Sequence, residues 1–61
     1  MPEVCQLLRN AIIDERDGIK FYDRLITKVD KDSQWKIKKI RDEEFAHMVE
    51  LMVIKARLHC G

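Results

Sequence analysis

Apolar residues recur every three or four positions along both halves of the chain. In the first half they fall at Cys5, Leu8, Ile12, Ile19, Tyr22, Ile26 and Val29. The rhythm lapses only at position 15, and filling that gap completes an unbroken heptad strip, the pattern of an amphipathic helix. In the second half Ile37, Ile40, Leu51, Ile54 and Leu58 keep the same rhythm, with gaps at 44 and 47. The pattern predicts helix 1 over about 3–29 and helix 2 over about 33–59. Asp30, Asp32 and Ser33, between them, are turn formers and helix N-caps. Pro2 suits the first turn of helix 1 and Gly61 the end of helix 2. A loop of about 30–32 makes the helices antiparallel neighbours. The expected fold is all-α, a single two-helix domain.

A second, patchier apolar strip adds Leu7, Ala11 and Leu25 on helix 1 and Phe45, Met48, Met52 and Ala56 on helix 2. Each helix of an isolated pair buries one narrow seam, so one hairpin cannot cover both strips. Two hairpins packed into a four-helix bundle can, and a homodimer or higher homo-oligomer is expected. Size points the same way. A chain of 61 residues buries only about 60% of its unfolded surface, and chains of this size usually need a staple, a metal or a partner subunit.

Composition sets limits on function. With 46% hydrophobic residues and no Pro beyond position 2, the chain is far from disordered. A net charge of +1 gives no wholesale attraction to nucleic acid or acidic lipid. The longest apolar run, Leu51-Met52-Val53-Ile54, is far too short to span a membrane. No signal peptide opens the sequence, which makes the cytoplasm the default compartment. Cys5 and Cys60 form no C-x-x-C pair, so zinc-ribbon and rubredoxin-type centres are absent. A hairpin brings these two cysteines close enough to bridge, but two reduced thiols are the expected state in an ordinary cytoplasm.

The strip gaps carry the chemistry. They are filled by Glu15, Glu44 and His47, the only readily ionised side chains in either strip. Glu15 lies about 16 residues before the loop centre and His47 about 16 after it, so folding the hairpin brings them level, with Glu44 one turn away. In a dimer four carboxylates and two imidazoles would point into one bundle centre. An unpaired buried ion costs several kcal/mol. Raised pKa values relieve part of that cost. Two divalent cations would relieve all of it, since their charge equals that of four carboxylates. Oxygen and imidazole donors suit iron, manganese or zinc.

These residues resemble a known family. Glu15 with Tyr22 a heptad on, followed by the run Ile40 to His47 (IRDEEFAH) with Glu44 and His47, is similar to one half of a ferritin-like di-iron carboxylate bundle of the rubrerythrin and encapsulated-ferritin type. It is also similar to designed di-iron hairpins that dimerise around one site. The resemblance covers about residues 7–58. It implies Glu15 as a carboxylate ligand, Glu44 as a bridging ligand, His47 as a terminal ligand and Tyr22 as an aromatic near the metals. It implies two iron ions per dimer and oxidation of Fe(II) by dioxygen or peroxide, as a ferroxidase or a peroxide scavenger. Most members carry four helices on one chain, so two helices here imply a partner copy.

A second reading stays open: a helical assembly or interaction module whose Glu/His cluster sets register or holds a structural metal. Among weaker signals, Lys36, Lys38, Lys39 and Arg41 read as a solvated face pairing with acidic residues of helix 1. Asp42 and Glu43 are candidates to orient His47. Trp35 is expected to cap the loop end of the core, and His59 to lie on the surface.

Overall fold

The structure, a computed structural model, describes residues 2–61. It contains two long helices and a short connection. Helix α1 runs Pro2–Leu25, a 3-10 turn covers Ile26–Lys28, and helix α2 runs Lys31–Arg57. Facing pairs show the direction of packing: Cys5 meets Cys60, Glu15 meets His47 and Asp23 meets Arg41. The hairpin is antiparallel, with Cα extents of 45 by 14 by 12 Å.

The connection begins earlier than the apolar pattern suggests. The Thr27 hydroxyl donates to the Arg24 carbonyl at 2.7 Å. Such back-bonding competes with the helical ladder, and the β-branched run Ile26-Thr27 is a poor helix former. Helix α1 accordingly gives way to a 3-10 turn after Leu25 rather than reaching residue 29. Val29 and Asp30 are extended. The Asp30 carbonyl accepts from the backbone N–H of Ser33 and Gln34 at 3.1 and 2.9 Å, which starts α2 at Lys31 rather than 33.

The strip expected on helix 1 is the seam of the hairpin. Cys5, Leu8, Ile12, Glu15, Ile19, Tyr22, Ile26 and Val29 are all half-buried. On α2 the strip is displaced. Beyond its first turn the half-buried positions are Ile37, Arg41, Glu44, Met48, Leu51, Lys55 and Leu58, while Ile40 and Ile54 are 42% and 43% exposed. Long basic side chains occupy seam positions because their methylene stems cover apolar surface while the charge stays in water. Arg41 illustrates this, its guanidinium Nε donating to Asp23 Oδ1 at 2.8 Å across the seam. The corresponding expectation of a basic face paired with acidic residues of helix 1 holds at this position.

Right-handed helices running in opposite directions present the same flank of their seams to the same side. One side of the hairpin therefore carries Leu7, Ala11, Gly18 and Leu25 from α1 beside Ile40, His47 and Ile54 from α2. The other carries Arg9, Ile13 and Arg16 beside Phe45, Val49 and Met52. Both sides are rich in exposed apolar side chains. Among the described residues none is fully buried, and the surface is 4841 Å², against roughly 4200 Å² for a compact monomer of this mass. Trp35, expected to cap the core, is 63% exposed, because the hairpin alone has no core beneath it to cap.

The open end is closed covalently. Helix α2 finishes with the Cys60 N–H donating to the Lys55 carbonyl and the His59 N–H to the Ala56 carbonyl, both at 3.1 Å, with His59 left-handed at φ 55°. This is a Schellman cap with His59 where Gly is commonest. It turns the chain so that Cys60 faces Cys5, and the two form a disulfide with Cα atoms 5.4 Å apart. The expectation of reduced thiols is corrected: Cys5 heads the α1 seam, and the cap delivers Cys60 to it. A bridge over a separation of 55 residues removes denatured-state entropy worth about 4 kcal/mol. Thiol reduction should accordingly lower the thermal midpoint by about 15 °C or more, followed by far-ultraviolet circular dichroism. A Cys5→Ser, Cys60→Ser variant should start at the lower midpoint and ignore the reductant.

Candidate metal centre

Three polar side chains meet in the middle of the seam. Glu15 lies on the inner face of α1. Glu44 and His47 lie one turn apart on α2, Glu44 in the seam and His47 on the flank shared with Gly18. One donor atom from each lies within 4.8 Å of the others. His47 Nδ1 is 3.8 Å from Glu15 Oε1, and the side chains are 56% and 22% exposed respectively. The level matching expected from the loop is thus met in the fold, and all three sequence-predicted ligands come together.

The cluster is electrostatically unfinished. No hydrogen-bond donor reaches the buried Oε2 of Glu15. The Glu15 carboxyl is held above its ordinary pKa, first by a hydrogen bond shared with Glu44, then by burial and the Glu44 charge, with His47 pulling the other way. A proton between the carboxyls answers the repulsion in one way. A cation answers it in another, and the donor set suits one. Two ligands on opposite sides of a single ion at about 2.1 Å are about 4.2 Å apart, so donors spread over as much as 4.8 Å would close in slightly around one. The orphaned oxygen and the mixed carboxylate–imidazole donors are of the kinds that transition-metal ions take as ligands.

Tyr22 is a heptad from Glu15, about 10 Å along the helix, and its ring packs edge-to-face on Phe21 at 5.4 Å between centroids. Asp42 is engaged by Arg41 at 3.2 Å instead of orienting His47. Glu43 makes no hydrogen bond to His47 either. Sequence reasoning missed what surrounds Glu44: its carboxylate lies against Gly18 of α1. The signal available was a Gly one turn after Glu15, in mid-helix.

No protein-family model, curated protein or solved structure matches the chain. No helix among the described residues is long and apolar enough to cross a membrane.

The raised Glu15 pKa gives a pH dependence for metal-free protein. Folding favours the protonated form, so the ionised carboxylate opposes folding above the raised pKa. That penalty fades as pH falls toward the ordinary 4.5. Glu15→Gln should raise the thermal midpoint at pH 7 and have no effect below about pH 4.5. Thermal melts across pH in a chelator-treated sample check this. A gain that persists at low pH would place the penalty elsewhere.

Proposed function

We propose that two copies of this hairpin pack into a ferritin-like four-helix bundle. In it, two Glu15–Glu44–His47 clusters hold two iron ions, and the centre oxidises Fe(II) with dioxygen or peroxide. The observation that carries the reading is the convergence of three ligand-type side chains from two helices in the seam, with an oxygen of Glu15 left without a donor.

The side of the hairpin bearing His47 supports the partner. His47 is half in water there, flanked by exposed Ile40 and Ile54. A second copy laid on that side covers the two isoleucines and brings a second cluster opposite the first. Three donors from one chain leave coordination positions free, and the second copy can supply the remainder. When bound, two Fe(II) ions would supply the two electrons that, with two protons from solvent, reduce peroxide to water. Glu15 and Glu44 would hold the ions and supply the negative charge that matches them. His47 adds a neutral donor at the exposed edge. The surrounding apolar side chains, Ile12, Ile19 and Leu51, limit water around the carboxylates.

The test is metal content and turnover of protein prepared without chelator. Two irons per dimer, with Fe(II) oxidation after aerobic addition, are expected. His47→Ala should stop oxidation while the dimer persists by light scattering. Absence of metal uptake, with Glu44→Ala leaving wild-type stability unchanged, would favour an assembly module instead.

A further inference from the structure

Gly18 sits in mid-helix, where Gly is the poorest helix former after Pro, and its φ is not in the region that only Gly favours. Backbone conformation therefore does not call for it. What faces it does. A Cβ at Gly18 would lie 3.1 Å from Glu44 Oε2, 3.6 Å from Cδ and 3.9 Å from Cγ. Contact at 3.1 Å is closer than carbon and oxygen ordinarily approach, so the carboxylate would have to move by a few tenths of an ångström. The absence of a side chain at 18 leaves the space in which the Glu44 carboxylate lies against α1.

We infer that Gly18 is a positioning residue that seats the Glu44 carboxylate beside Glu15. It acts through Glu44 and touches no ion itself. As a ligand-positioning role it rests on the metal-site reading above. The seat itself is a contact between two residues of the metal-free chain. Filling the seat displaces the Glu44 carboxylate and so disturbs a cluster whose donors now lie within 4.8 Å of one another.

A double-mutant cycle on full-length oxidised chain separates this from a general need for a small residue. Metal-free wild type, Gly18→Ala, Glu44→Ala and the double variant are melted at one protein concentration. Ala in a helix interior is favoured over Gly, so Gly18→Ala should raise the midpoint by about 4–8 °C in the Glu44→Ala background. In the presence of Glu44 the same change should gain less or nothing. Co(II) titration of the chelator-treated wild type and Gly18→Ala, followed by visible absorption, reads the second consequence. Gly18→Ala should weaken Co(II) binding by about tenfold or more, the usual cost of disturbing what orients a ligand. Equal midpoint gains in both backgrounds would overturn the seat. A loss of stability in both backgrounds would overturn it as well, and would make Gly18 a site of close approach for another helix. If wild type binds Co(II) and Gly18→Ala binds it equally well, the positioning role falls while the metal site stands. If wild type binds none, the metal site falls and the ligand-positioning role with it, while the melting cycle still decides the seat.

Discussion

Two helices lying side by side share a single seam, and a seam one side chain deep on each helix is open to water from above and below. This constraint governs the hairpin. Every residue in the seam is half-buried at best, so hydrophobic burial, the main favourable contribution to folding, is available only in part. The remaining stability has to come from the denatured side of the balance or from other molecules. The Cys5–Cys60 bridge acts on the first. The exposed apolar flanks, Ile40 and Ile54 on one side and Phe45, Val49 and Met52 on the other, are surfaces on which the second would act.

The same openness makes the polar cluster tolerable. Two carboxylates in a closed core would carry the full desolvation cost. In a half-open seam Glu15 keeps some contact with water, and its pKa rises under the combined push of Glu44 and burial. Covering this side of the hairpin would sharpen the conflict, because losing water strengthens repulsion. Whatever covers Ile40 and Ile54 must therefore also resolve the charge at Glu15 and Glu44. Apolar coverage and charge compensation are coupled here, and a partner that brought only hydrophobic surface would be opposed by the carboxylates.

Much of this was legible in the chain. The α1 strip reads directly as the seam, because a heptad of small and medium apolar residues leaves little choice of phase. The convergence of Glu15, Glu44 and His47 follows from strip gaps and loop position alone. Helix α2 is less direct: its apolar strip is centred between the seam and the exposed flank, so the pattern alone assigns Ile40 and Ile54 to inner positions. Arg41 and Lys55 hide in the seam by their stems, which residue-type patterning scores as polar. The disulfide was obscured by an expectation about compartment rather than geometry. The left-handed His59 that aims Cys60 carries no sequence mark, since Gly is the residue that normally announces that conformation. Gly18 was visible as an anomaly, but its reason lies on the opposite helix, a relation only the folded register discloses.

The covalent closure of the open end also limits how such a hairpin can join another. A two-helix chain can associate by straightening its hinge and exchanging arms with a neighbour, each long helix completing the other's seam. Straightened, α1 and α2 would place their far ends about 80 Å apart. Cys5 and Cys60, bonded with Cα atoms at 5.4 Å, forbid that excursion. In its oxidised form the chain is a closed ring of polypeptide, and its unions with other copies are restricted to laying one intact hairpin against another.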